Sequence, residues 1–322
     1  MLCRKSVQTN IKLEVDSVKK ILILANSSGG LYDFRNDFVL GLLKNYEVYV
    51  SIPDEVKTKE LTEEGCKIIK TPINRRGVNP LEDFKLFLAY RKLMKEIRPD
   101  LVATYTIKPN IYGGMAAQSR KLPYIETITG LGGAFDRKGL FLKLIVTLYR
   151  IGMKKAECIF FQNRENRQIF RDFGIEGKSE CLVNGSGVDL IRHTFEPYPT
   201  DEKCQFLFVG RVMKERGIVE FLEAAKKLHS ENVEFAILGY CDEDYQQQLD
   251  DLEKQGVITQ LGFNTEVHPY LKAAGAIVIA SFHEGMSNAL IEAAATGRPV
   301  IASRISGCRE AFEEGITGFG FT

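Results

Sequence analysis

The chain has 322 residues, with 43 basic against 42 acidic side chains and 44% hydrophobic residues. That length exceeds one ordinary hydrophobic core and suits two α/β units of roughly 100 to 200 residues each. The even charge balance argues against a nucleic-acid binder, whose affinity draws on a basic excess.

The first twenty residues are charged throughout and lack the apolar core of a signal peptide. Seven scattered cysteines without a C-x-x-C pair read as reduced, cytosolic thiols, and four histidines never spaced at i and i+4 give little support to a histidine-based metal site.

Short β-branched runs alternate with helical patterns, the grammar of βα units and a mainly parallel sheet. In the first half this predicts strands at 21–25, 46–51, 66–70, 101–104, 124–128 and 158–161. Directly after the first of these comes SSGGLYDFRNDF, where Gly29 and Gly30 allow close approach of a ligand to a helix start. The periodicity predicts a helix over 81–97, stopped by Pro99. TYTIKPNIYGG and ETITGLGGAFDR follow the fourth and fifth strands and would line one wall of a cleft, with Tyr105, Lys108, Thr129 and Arg137 as candidate acceptor or phosphate contacts. No apolar run reaches the ~20 residues needed to span a bilayer. The stretch GLFLKLIVTLYRIGMKK at 139–155, broken by Lys143 and Arg150, suits either a helix lying on a membrane or a buried helix.

Residues 193–204, HTFEPYPTDEKC, have the prolines and charges of a linker, which divides the chain into domains at 1–192 and 205–322. Strands are then expected at 205–210, 234–238, 257–261, 276–280 and 299–302. VGRVMKERGI places Arg211 and Arg216 at the carboxyl end of the first of them, where open α/β sheets bind ligands and where arginine forks suit a diphosphate. SFHEGMSNALIEAAATGRPVIAS carries the strongest signal. Glu284 and Gly285 form a loop, Ser287 or Asn288 caps a helix, and Glu292 lies one turn inside it. Two carboxylates at one strand-to-helix mouth, with the amide donors of a helix start between them, suit a diphosphate and the hydroxyls of a sugar or ribose.

These motifs together resemble the large retaining GT-B group of glycosyltransferases, in particular the enzymes of polysaccharide and lipid-linked oligosaccharide synthesis. The resemblance runs from about residue 20 to the end and rests on the E-x7-E pattern from Glu284 to Glu292, on FVGR at 208–211 and on the TGLG loop at 129–132. It implies two Rossmann-like domains facing each other across a cleft. It implies that Arg211 and Arg216 neutralise the donor diphosphate, that Glu292 binds ribose and that Glu284 binds the donor sugar. Gly210 and the backbone of Gly285, Met286, Ser287 and Asn288 would face the phosphates and sugar. Leu261, Gly262 and Phe263 would lie beside the base, and Gly29 and Gly30 would meet the phosphates from the other domain. It further implies a nucleotide-diphosphate sugar, UDP-linked, as co-substrate, a lipid-linked saccharide acceptor and no metal, and the stretch at 139–155 then suggests attachment to the inner face of the cytoplasmic membrane, where such an acceptor is found. Relatives commonly have histidine where Thr129 stands, lysine where Arg216 stands, and several helices beyond GFGFT, so the resemblance implies a truncated second domain. A sugar-nucleotide 2-epimerase of the same fold, or a non-catalytic nucleotide-sugar-binding relative, is the alternative. The former needs an acid/base pair near the sugar C2, and no such pair is evident.

Overall fold

The computed structural model describes residues 18–74, 79–131, 135, 139–200 and 203–322. Two wholly parallel sheets follow one another along the chain. The first contains β1 (Lys20–Leu24), β2 (Glu47–Ile52), β3 (Lys67–Lys70), β4 (Leu101–Tyr105), β5 (Tyr124–Ile128), β6 (Cys158–Phe161) and β7 (Glu180–Leu182), in the order β3-β2-β1-β4-β5-β6-β7. The second contains β8 (Cys204–Val209), β9 (Val233–Leu238), β10 (Thr259–Gly262), β11 (Ala276–Ile279), β12 (Val300–Ser303) and β13 (Gly318–Phe321), in the order β10-β9-β8-β11-β12-β13. Both orders reverse direction beside their first strand, which puts a topological switch point at the carboxyl ends of β1 and β4 and again at those of β8 and β11.

The connecting helices are α1 (Ser28–Leu43), α2 (Thr58–Glu63), α3 (Pro80–Ile97), α4 (Gly114–Arg120), α5 (Leu140–Met153), α6 (Arg164–Asp172), α7 (Ile218–Leu228), α8 (Gln246–Lys254), α9 (His268–Ala273) and α10 (Asn288–Thr296). They cover both faces of each sheet, so the inner strands are continuous apolar runs: Leu22, Ile23 and Leu24 of β1 are fully buried. α3 shows how local chemistry sets an element. Asn79 accepts from the amides of Leu81 and Glu82, Pro80 occupies the first turn, and Arg98 ends the helix in the left-handed conformation, one residue before the expected proline stop. Two strands, β7 and β13, lie outside the six and five expected. β7 is three residues long, too short to show alternation.

The amphipathic stretch at 139–155 is a helix of the first domain's core. Ile145, Val146, Tyr149, Gly152 and Met153 of α5 are buried against the first sheet, whereas Leu140, Leu144 and Ile151 are exposed. Among the described residues no helix is long and apolar enough to cross a membrane.

The segment from 193 to 200 is not a solvated tether. Arg298 is buried and uses all five of its N–H donors on main-chain carbonyls, those of Glu196, Pro197, Leu271, Lys272 and Gly297. Two of these belong to the connection between the sheets, so that segment is fastened to the second domain.

Candidate functional site

The loop between β11 and α10 is where the two domains meet. Asn163, just after β6, donates its side-chain amide to the carbonyls of Gly285 at 2.6 Å and Glu284 at 3.3 Å. A Cβ on Gly285 would collide with the carbonyl of Thr129 and the side chain of Gln162, so the loops after β5 and β6 press directly on this glycine. Gly185, after β7, has φ +67° and touches Met286 in the same way. Within the second domain the amide of Ser287 donates to the carbonyl of Gly307 at 2.9 Å. The expected helix start is present, with Ser287 at the N-cap and Glu292 one turn inside α10, although the Ser287 hydroxyl caps no amide.

The two glutamates of the E-x7-E pattern flank this loop but open into different cavities. Glu292 lines a cleft of about 840 Å³ whose walls come from both domains: Asp33, Arg35, Lys57, Tyr105 and Gln162 on one side, Thr265, Glu266 and Glu292 on the other, with Asp189 and Arg192 between them. Glu284 lines a second cavity of about 440 Å³ with Leu131, Phe135, Asn166, Arg304 and Ser306. The separation has a local cause. Arg216 and Ser281 both donate to Oε1 of Glu284 and hold this carboxylate at the second cavity.

Burial pushes the Glu292 carboxyl up to about 7, against the opposing pull of Arg192. Across the cleft, burial also raises Asp33, one of whose oxygens is buried without a hydrogen-bond partner. Two acids held toward their neutral forms therefore face the cleft, which lessens their repulsion of an anion and lets them exchange hydrogen bonds with hydroxyl groups.

The remaining sequence candidates divide. Tyr105 lines the cleft, buried under the guanidinium of Arg35 at 4.9 Å from its ring centre. Thr129 meets Gly285 through its carbonyl. Lys108 does not reach the cleft: it forms a 2.7 Å ion pair with Asp83 in which the side chains are only 12% and 5% exposed. Arg211 does not join Arg216; it reaches Asp242 at 2.7 Å on the surface of the second domain. Gly29 and Gly30 do not line either cavity. The start of α1 is satisfied by protein groups, because Asp54 accepts from both the amide and the hydroxyl of Ser28 and Ser27 accepts from the amide of Gly30 at 3.3 Å. Gly210 has φ +143°, and its carbonyl occupies the space where a Cβ on Gly239 would stand, which brings the ends of β8 and β9 together without side chains. Leu261 and Gly262 end β10, and Phe263 beyond them is 60% exposed and makes an edge-to-face pair with Tyr240 at 5.5 Å. Arg137 and Gly132 lie outside the described residues.

Asp33, Arg35, Gln162, Asn163 and Arg192 were not picked out by the sequence. Asp33 and Arg35 stand three and five residues beyond Gly30 in a segment that was singled out for its glycines, and Asn163 could have been found as a helix cap directly after a strand.

With this geometry in view, the family comparison is decisive. Residues 20–163 match the family described as glycosyl transferase 4-like, and residues 203–322 match that described as glycosyl transferases group 1. The chain belongs to the group 1 glycosyltransferases of the GT-B fold. Among its relatives is the Campylobacter jejuni N,N'-diacetylbacillosaminyl-diphospho-undecaprenol alpha-1,3-N-acetylgalactosaminyltransferase, 26% identical over 318 residues that cover 93% of this chain and 84% of the relative. Another is the Escherichia coli UDP-Gal:alpha-D-GlcNAc-diphosphoundecaprenol alpha-1,3-galactosyltransferase, 25% identical over 321 residues, or 93% of this chain and 81% of the relative. In three dimensions this glycosyltransferase superposes on Anabaena HepE in complex with UDP-glucose with a TM-score of 0.76 at 18% identity, covering 94% of this chain and 85% of the other. The two parallel-sheet domains are those of the GT-B fold, and the chain is an enzyme of glycosyl transfer.

Proposed function

We propose that this glycosyltransferase moves a hexose or N-acetylhexosamine from a UDP-sugar to a saccharide carried on a polyprenyl diphosphate, with retention at the anomeric carbon. The observation that carries the reading is the Glu284–Asn288 loop, a helix start clasped by both domains with an acid on either flank. The ribose would sit in the cleft beside Glu292, whose oxygens accept its hydroxyls. The diphosphate would run over the loop amides toward Arg216, and the sugar would point to Glu284. Arg216 is the stronger candidate for the diphosphate, because it is already anchored at the loop through Glu284, while Arg211 is engaged by Asp242.

Gly285 is packed so tightly on Thr129 that the domains must part before a donor reaches its amide. Transfer on the front face then needs no separate protein base. The acceptor hydroxyl attacks the anomeric carbon on the side from which UDP departs, its proton passes to the leaving phosphate oxygen, and the positive guanidinium and the loop amides hold the charge that develops there. On this reading the protein groups do the work for which other enzymes use a metal. The relatives that act on diphospho-undecaprenol-linked sugars support the acceptor class.

The acceptor class also supports a place at the membrane surface. Exposed Leu140, Leu144 and Ile151 on α5, with exposed Lys143 and Arg150 on the same helix, offer apolar and basic contacts to an anionic bilayer. Co-sedimentation with anionic liposomes checks this, and no binding would remove it.

The test of the main reading is incubation with each of several labelled UDP-sugars and a prenyl-diphosphate-linked saccharide, followed by NMR of the product linkage. An α-linked product from an α-linked donor is expected. Inversion, or no transfer from any UDP-sugar, would sink the proposal.

A further inference from the structure

Three long cationic side chains line the 840 Å³ cleft: Arg35, Lys57 and Arg192. Two of them have acid partners within the protein. Lys57 pairs with Glu60 at 2.8 Å, and Arg192 pairs with Glu266 at 3.0 Å. Arg35 pairs with no carboxylate among the described residues. Its Nη1 donates to the carbonyl of Gly30 at 2.9 Å, and its central carbon lies 4.9 Å from the centre of the Tyr105 ring.

The contrast with Arg298 is informative. That buried guanidinium has a carbonyl for every N–H, whereas the half-buried Arg35 directs one N–H to a carbonyl and lies over a ring. Burial disfavours the charge on Arg35, the electrostatic influence of Tyr105 opposes that effect, and the ring of the same tyrosine lies close to the guanidinium. A guanidinium fixed in orientation by a carbonyl and an aromatic face, with donors to spare and no carboxylate partner among the described residues, is a preorganised fork for oxyanions. It stands on the first domain's wall, while the candidate donor groups Arg216, Glu284 and Glu292 belong to the second.

We propose that Arg35, backed by Tyr105, is an anion subsite of the first domain that receives the diphosphate of the prenyl-linked acceptor. The proposal rests on the reading of a diphosphate-linked acceptor given above.

The experiment uses the full chain saturated with UDP, so that the donor site is filled. Titration calorimetry with methylenediphosphonate is expected to show binding to the parent protein, weakening by at least tenfold in Arg35→Ala and by less in Arg35→Lys, with UDP affinity unchanged within twofold in both. Inorganic phosphate is expected to bind at least tenfold more weakly than the diphosphonate. Kinetically, Arg35→Ala should raise KM for the diphosphate-linked acceptor at least tenfold and leave KM for a neutral alkyl glycoside of the same saccharide unchanged. Arg35→Lys should recover part of the difference, which a merely structural role would not produce.

The proposal is overturned if the UDP-saturated parent binds no diphosphonate, if phosphate binds equally well, if UDP affinity falls with the variant, or if charged and neutral acceptors suffer alike. Diphosphonate binding that depends on Arg35, without turnover of either acceptor by the parent, would instead defeat the acceptor reading and leave the anion site standing.

Discussion

Asn163 joins Gly285 across 122 residues of sequence: its side-chain amide donates to the glycine carbonyl at 2.6 Å while its side-chain oxygen accepts from the amide of Asn166 at 2.7 Å. One residue thus caps α6 and holds the loop of the E-x7-E pattern. Asn163→Asp retains the cap and removes the interdomain donor, placing a carboxylate against two carbonyls. It is expected to leave α6 intact, to cost about 1–2 kcal/mol in a urea titration, and to raise the KM for the UDP-sugar roughly tenfold. Asn163→Ala loses the cap as well, at a further cost of about 1 kcal/mol. An unaltered donor KM in the aspartate variant would show that the clasp does not shape the donor site.

Arg216 and Arg211 are engaged by different acids, Glu284 at the interdomain loop and Asp242 at the surface, and on the proposed function only the first serves the donor. Arg216→Ala strips the Glu284 carboxylate, whose side chain is 7% exposed, of its charged donor and leaves Ser281 alone. The expected outcome is a stability loss of about 2 kcal/mol and a fall in kcat/KM of more than roughly 100-fold, equivalent to about 2.7 kcal/mol of lost transition-state stabilisation. Arg211→Ala breaks a surface pair with Asp242 and should cost under about 1 kcal/mol, with kcat/KM within roughly tenfold of the parent, since about 1.4 kcal/mol corresponds to that factor. Equal losses of turnover in the two variants would restore both arginines to the diphosphate.

Glu292 gives a pH dependence. Its carboxyl, raised to about 7 by burial, is neutral in the folded protein at pH values where the unfolded chain has already ionised it. The folded state therefore binds the extra proton, and stability falls as pH rises from about 4.5 to about 7 and then levels off. Ribose hydroxyls donate to the ionised form, so nucleotide binding expels that proton and affinity for a UDP-sugar should climb, by at most about tenfold per pH unit, up to pH 7. Fluorescence or calorimetric titrations from pH 5 to 8 check this. Glu292→Gln should flatten the profile and weaken binding at pH 8, and a profile identical to the parent's would detach Glu292 from the nucleotide.

Lys108 is a test of packing against chemistry. Removing it leaves Asp83 buried with Tyr112 as its remaining neighbour in the hydrogen-bonding group. Lys108→Ala should destabilise the protein by about 3 kcal/mol, visible as a lower urea midpoint, with KM for donor and acceptor unchanged at 15 °C. A selective rise in acceptor KM at unchanged stability would return Lys108 to the acceptor site.

The inner strands were legible because their apolar runs, such as Leu22 to Leu24, are buried on both faces, which leaves a pattern no surface segment imitates. The loop from Glu284 to Asn288 was legible for a different reason: a strand end, a glycine and a helix cap must follow in that order for the turn to form. What could not be read was pairing at a distance. Nothing in the local sequence distinguishes Arg211, drawn to Asp242, from Arg216, drawn to Glu284, since both follow the same strand by a few residues. Lys108 and Arg35 were likewise indistinguishable in kind, yet one is neutralised by an aspartate 25 residues earlier and the other faces an open cleft. The stretch at 193–204 looked like a free connection because its prolines and charges are visible and the arginine that grips it, a hundred residues later, is not.

That grip bears on how the molecule can breathe. Because Arg298 fastens the chain at Glu196 and Pro197, and Arg192 donates to Glu266 and to the carbonyl of Thr265, the connection is held by the second domain from Arg192 onward, which displaces the swivel between the halves upstream, into the stretch between the end of β7 and Arg192. Gly185, Gly187 and Asp189 lie in that stretch and also line the cleft. Any gaping of the halves therefore shifts part of the lining of the cleft itself, which on the proposed function ties admission of the donor to the residues around it.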